Sequence, residues 1–346
     1  MLPAPALAKS IAWLADATGQ WPKWPALALG PRYQPLPSSI RLNRRFAIGR
    51  KPCALALLAG LLLLGCTTPR PTLLPELPLP PGRLELRVGG RYLFHSDVSL
   101  QADHPVLREV ARLPERLHRE LQLPDNASLV HVYLFADRDA YERYLHAHFR
   151  HLPPRRAFFM ARPGASGEEL LVYAFWGERI LEDLRHELTH AELHSACPHI
   201  PMWLDEGLAE FFEVPAELDG VHYRHLAALR AELASPWSPS LERLEKITLL
   251  RELTPQDYRE AWAWTHFLLR GPAAVREVLL AYLRDLHQLK NPAPGSASAP
   301  AAQEPIPPLS SRLRPILPAP ETALRQHLAQ LDQRSAQLTL DDPVPR

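Results

Sequence analysis

The placement of proline restricts this chain more than any other feature. Of its 38 prolines, 14 precede residue 83 and 11 follow residue 290, so only 13 are spread through the long stretch between. A proline ring fixes φ and removes a backbone donor, so the two outer segments are poor material for helix or sheet interiors. The expected organisation is an N-terminal extension over 1–40, a leader over 41–65, a Pro-rich linker over 66–82, a folded body over 83–290, a Pro/Ala-rich linker over 291–320 and a short helical tail over 321–346. A hydrophobic content of 46% is ample for a core in a body of that length. The formal charge of +1 argues against nucleic acid as a partner, because binding phosphates requires a clustered cationic surplus.

Within 41–66 the sequence reads RLNRRFAIGRKPCALALLAGLLLLGC. Arg44, Arg45, Arg50 and Lys51 precede an uncharged run from Ala54 to Gly65. That run is shorter than the roughly 20 residues a membrane span needs, but it suits the apolar core of a secretory signal. Its ending, LLGC, resembles the lipobox of bacterial lipoproteins. The resemblance implies cleavage before Cys66, acylation of its thiol, and a lipid anchor in place of a spanning helix. Thr67 after that Cys implies, by the same likeness, a place in the cell envelope on the outer membrane, facing the periplasm. Once Cys66 is acylated, only Cys197 remains, and no intramolecular disulfide is available.

The body begins with RLELRVGGRYLFHS, an alternating pattern with Gly89-Gly90 at its turn, which predicts a hairpin. HPVLREVARLPERLHREL has helical spacing that Pro114 must bend or split. SLVHVYLFA reads as a buried strand, after which Asp137 caps a helix. RAFFMA and ELLVYAFW read as two more strands around RPGASGE. Helices are then expected over 179–195, 203–213, 217–234, 241–247, 256–270 and 272–290. Strands first and helices afterwards predict an α+β fold, a small mixed sheet followed by a mainly helical half.

The candidate chemistry lies in RHELTHAELH, residues 185–194. On a helix, residues four apart differ by about 40° around the axis, so His186 and His190 can share one metal ion. Glu187, about 100° to the side, can instead reach a water held by that ion and take its proton. His194 extends the row but stands about 12 Å from His186, too far for the same ion, and reads as a polar residue near the helix end. A metzincin needs Gly and His where this chain has Leu193 and Ala196, so that class is excluded. Pro198 and Pro201 then break the helix, and a second begins near Trp203 with Glu206 and Glu210 one turn apart. Across so short a loop, Glu206 can face the two histidines and complete a His₂Glu site with one position open.

HELTH followed by WLDEGLAEFFE resembles the gluzincin metallopeptidases, which include thermolysin and a large aminopeptidase branch. The closest likeness is to the peptidase-MA-like domains of bacterial envelope proteins. It covers about residues 85–285 and is tight only over 170–213 and 255–270. It implies zincin, thermolysin-like architecture and one Zn²⁺ bound by His186, His190 and Glu206, with Glu187 as general base. It further implies a peptide or protein substrate and makes Glu210 the carboxylate that orients a ligand histidine; otherwise Glu210 is a solvated helix charge. Tyr258, in TPQDYREAWAWTHFLL, resembles the Tyr of a Y-x-K-G-A segment that donates to the reaction's oxyanion, although Glu260 and Ala261 depart from that pattern. Its other reading is a packing tyrosine.

ELLVYAFW corresponds in position to the gluzincin edge strand, which pairs with an extended substrate. The aminopeptidase signature G-x-M-E-N is missing, which favours an endopeptidase. The competing expectation is a non-catalytic envelope lipoprotein that uses the same scaffold to bind a protein or wall component.

Overall fold

Alternating residues build the start of the sheet. β1 (Leu84–Val88) and β2 (Tyr92–Ser96) pair antiparallel, and Val88 lies opposite Tyr92 across a turn in which Gly89 and Gly90 take φ of 56° and 74°. Positive φ at both positions is what a tight hairpin needs and what glycine supplies cheaply. These elements belong to a computed structural model that describes residues 80–124, 128–149, 152–164, 167–233, 237–290 and 306–341. Cys66, the leader, the extension over 1–40, most of the first linker and residues 291–305 of the second lie outside the described residues.

Pro114 splits the next helical stretch into α1 (Pro105–Val110) and α2 (Leu113–Leu121), with the proline in the first turn of α2, where its missing N–H has no helical partner to lose. β3 (Val130–Phe135) follows, then α3 (Arg138–His148), whose cap Asp137 accepts the Ala140 N–H at 2.8 Å. β4 (Ala157–Gly164) and β5 (Gly167–Phe175) close the sheet, whose order is β1-β2-β3-β5-β4. β2, β3 and β5 run parallel to one another, while β1 and β4 are antiparallel to their neighbours. The fold is therefore α+β with a five-stranded mixed sheet and a mainly helical remainder. β5 lies inside the sheet between β3 and β4, so the strand expected at the edge, ELLVYAFW, is not there; the edge belongs to β4.

One sheet face carries Phe94, Val132, Phe159 and Val172 into the main core. The other carries Phe158, Met160, Leu171 and Tyr173 against Tyr141, Tyr144 and Leu145 of α3. The main core is organised around α4 (Ile180–Ala196) and α5 (Met202–Glu213), separated by the loop containing Pro198 and Pro201. The helix expected over 217–234 begins later, as α6 (Tyr223–Leu233). Asp219 and Gly220 take φ of 52° and 81°, and a Cβ on Gly220 would stand 1.9 Å from the Phe211 ring, so the chain turns where only glycine fits.

After the short α7 (Leu241–Leu244) come α8 (Pro255–Arg270), started by a capping box between Thr254 and Asp257, and α9 (Ala273–Lys290). The C-terminal helix expected as a detached tail is docked. α10 (Leu309–Leu313) and α11 (Pro320–Asp341) bury Leu309, Leu313, Leu324 and Leu328 in the main core. Arg230 of α6 pairs with Asp332, and the rings of His266 and His327 meet at 2.9 Å. Proline there marks the crossing segment, and the apolar face of α11 is completed by α6 and α8. Among the described residues no helix is long and apolar enough to cross a membrane.

Candidate metal centre

α4 is buried on nearly all sides, yet it carries Asp183, Arg185, His186, Glu187, His190, Glu192 and His194 into the interior. Burying so many polar groups is unfavourable unless each finds a partner. Most do. Among the exceptions, four atoms converge on one point: Nε2 of His186 and Nε2 of His190 on α4, and both carboxylate oxygens of Glu206 on α5, are buried without a hydrogen-bond partner.

Glu206 Oε2 lies 3.8 Å from Nε2 of each histidine. Ligand atoms about 2.0–2.2 Å from a common tetrahedral ion are themselves roughly 3.4 Å apart, so the spacing is near that of a shared ion and too wide for hydrogen bonds. The imidazole planes are inclined by 76° with centroids 4.9 Å apart, which lets both lone pairs aim at one point. His186, His190 and Glu206 could thus hold a metal ion. Burial drives the Glu206 carboxyl well above its usual range, so the pocket disfavours the bare anion and favours it beside a cation.

The far nitrogens fix the orientation. His186 Nδ1 is 2.8 Å from Glu213 Oε2, and His190 Nδ1 is 2.9 Å from Asp205 Oδ1. An ionised carboxylate only accepts, so both Nδ1 atoms carry the hydrogen and donate it. Nε2 is thereby left as the coordinating atom. Each carboxylate also accepts from an outer histidine: Asp205 Oδ2 from His194 Nε2 at 2.8 Å, and Glu213 Oε1 from His222 Nε2 at 2.8 Å. His194 therefore has a definite partner one step removed from the candidate ion.

Glu210 does not occupy the orienting position expected of it. It is buried rather than solvated, and it accepts from His225 Nε2 at 2.8 Å. One helical turn sends it along a different azimuth from Glu213, which takes the His186 contact. Glu210, His222 and His225 form a second group close enough to be considered for a metal. Their chemistry argues otherwise: the two rings stack at 3.8 Å with planes 14° apart, so their in-plane lone pairs run side by side and cannot meet on one ion. Both also already donate to carboxylates.

Burial works against a proton on His186, but the hydrogen bond and charge of Glu213, with Glu187 and Glu210 nearby, together push it up to about 10. Burial holds neighbouring His190 below its ordinary value, and the charge on His186 adds to that. Two imidazoles this close do not share two protons comfortably, whereas a dication serves both. Glu187 follows His186 on α4. Burial pushes its carboxyl up to about 8, while the charges of His186 and Arg155 and a hydrogen bond from the Phe159 backbone N–H pull it down. Its Oε2 has no protein partner.

Tyr258, in the first turn of α8, is buried with its hydroxyl unpartnered, and burial together with Glu206 and Glu210 raises it well above the normal phenol range. α8 comes that near because of Gly207. A Cβ there would lie 2.3 Å from Thr265 Oγ1 and 2.5 Å from the Ala261 carbonyl oxygen, so the residue beside Glu206 must be glycine for α5 and α8 to pack.

The structure brings His186, His190 and Glu206 together and buries Glu187 and Tyr258 with an unpartnered oxygen on each, while Asp205 and Glu213 emerge only from the structure. Their local signal was weak: each is one more acidic residue in a helix already rich in them. Comparison with protein-family models, curated proteins and solved structures finds no match for this chain.

Proposed function

We propose that this chain is a zinc-dependent peptidase of the gluzincin type, held at the bacterial cell envelope by acylation of Cys66. The observation that carries the reading is the orphaned His186, His190 and Glu206 donor set with the free Oε2 of Glu187 beside it. Two neutral imidazoles and one carboxylate, with a fourth position for solvent, are the donor set of a hydrolytic rather than a structural zinc site. A zinc ion in this place supplies Lewis-acid polarisation of a carbonyl and lowers the pKa of water.

Glu187 accepts the proton from the attacking water at its carboxylate and then delivers it to the leaving nitrogen. The Phe159 N–H holds that carboxylate in position. Tyr258 keeps its phenolic hydrogen at neutral pH and can donate it to the developing oxyanion. Peptides are favoured as substrates because β4 is an edge strand that makes direct backbone contact with the general base, so an extended chain laid along it would pass the reacting groups.

The test is metal content and casein cleavage by the purified full-length protein, beside Glu187→Gln. The reading expects one zinc per chain in both proteins and cleavage by the wild type alone. Stoichiometric zinc with no cleavage by either would leave a binding protein built on this scaffold.

A further inference from the structure

The segment Leu152–Arg156 that leads into β4 ends in two arginines with opposite fates. Arg156 turns to the start of α4, where its Nε lies 2.9 Å from Asp183 Oδ1. Arg155 has no carboxylate within ion-pair distance among the described residues. Its polar contact is a long one, from Nε to the Pro153 carbonyl at 3.4 Å, and its Nη1 is buried with no acceptor. Other arginines of this region are engaged: Arg179 with Glu182, Arg185 with Glu213 O and Glu109, Arg162 with Glu169. A buried guanidinium nitrogen without an acceptor is unfavourable, so its place is better explained by a group it meets in use.

Arg155 precedes by four residues Phe159, whose ring centroid lies 6.3 Å from that of the candidate ligand His190, so β4 passes the candidate centre just beyond it. Its guanidinium carbon lies 5.8 Å from the Phe158 ring on the other face of the strand, and its positive charge lowers the Glu187 carboxyl and the Tyr258 phenol against the effect of their burial. It stands at the N-terminal end of edge strand β4, whose next turn of pleat presents Phe159 to Glu187. A peptide lying antiparallel to β4 would direct its C-terminal end to Arg155, whereas a parallel one would bring its ammonium there and be repelled.

We propose that Arg155 is a specificity residue that binds a carboxylate on the C-terminal side of the scissile bond, either the terminal carboxylate of a short peptide or an acidic side chain. Guanidinium and carboxylate match in charge and in geometry, and a two-pronged pair between them is strong enough to select substrates. The inference rests on the peptidase reading for its biological use, but binding tests it independently of turnover.

The experiment is calorimetric binding of acetylated peptides of three to five residues, as free acids and as C-terminal amides, to the full-length protein with and without zinc. Peptides with and without an acidic residue near the C-terminus separate the two sources of carboxylate. Wild type is expected to favour the carboxylate-bearing member by about tenfold or more. Arg155→Ala should remove the preference while leaving amide affinity unchanged, and Arg155→Lys should keep part of it. A preference that survives Arg155→Ala, an equal loss for acid and amide, or no binding by wild type overturns the proposal. A variant that cleaves amides faster than wild type would also overturn it, by showing that Arg155 restrains Glu187. Carboxylate-selective binding without cleavage would sink the peptidase reading and leave Arg155 its role. Cleavage indifferent to both carboxylate and Arg155 would do the reverse.

Discussion

His190 donates its Nδ1 hydrogen to Asp205, 2.9 Å away on the next helix, and Asp205 is the residue immediately before Glu206. One backbone step on α5 therefore supplies both a candidate ligand and the group that aims another. Glu213, two turns on, does the same for His186 at 2.8 Å. Replacing either carboxylate by its amide, Asp205→Asn or Glu213→Gln, should weaken zinc binding by about 10–100-fold. Glu210→Gln should stay near wild type, because Glu210 serves His225 instead. Competition with a chromophoric chelator measures all three, and a loss in Glu210→Gln equal to that in Glu213→Gln would refute the division of labour.

Glu206→Ala and Glu187→Gln should fail in different ways. The first removes a donor and should abolish stoichiometric zinc; the second leaves the donors intact and should retain zinc while losing at least about 100-fold in turnover. Metal analysis alongside peptide cleavage separates them. Unchanged zinc in Glu206→Ala would mean that the ligand set is wrong.

Gly207→Ala places a methyl group 2.5 Å from the backbone oxygen of Ala261, which cannot rotate away. The helices α5 and α8 must separate, with a loss of stability at or above the upper end of about 1–3 kcal/mol. Because Glu206 and Tyr258 lie on the two helices, zinc affinity should fall as well. A urea denaturation midpoint equal to wild type would show that α8 is free to shift.

Leu328→Ala tests whether the C-terminal helix is part of the body. Leu328 is fully buried in the main core, and its truncation should lower stability by about 2–5 kcal/mol within one cooperative transition. An unchanged midpoint, or a separate early transition, would indicate a loosely attached tail.

Asp183 gives a pH-dependent expectation. Burial raises its carboxyl to about 6 against the pull of Arg156. The native state therefore holds a proton that the unfolded chain has released between about pH 4 and 6, so this contribution to stability is complete below pH 4 and lost as pH rises through 6. The stability of wild type relative to Asp183→Asn should thus fall by about 2–3 kcal/mol from pH 4 to pH 7. Urea titrations of both proteins at several pH values provide the measure, and a difference that is flat or rises with pH contradicts it.

What the sequence determined is local. Apolar alternation and Gly89-Gly90 specify the hairpin, Pro114 divides two helices, and Asp137 starts a third, because each depends on neighbouring backbone. The four-residue spacing of His186 and His190 likewise fixes a common direction on any helix that contains them. Tertiary structure decided the rest, because those choices depend on which surfaces meet. The pairing of β3 with β5 put β4 at the sheet edge, and the burial of α11 against α6 and α8 turned a proline-flanked tail into core. The angle between α4 and α5 selected Asp205 and Glu213 over Glu210 as partners of the candidate ligands. No spacing along one helix reveals which of several acidic residues a second helix will bring within 3 Å of an imidazole.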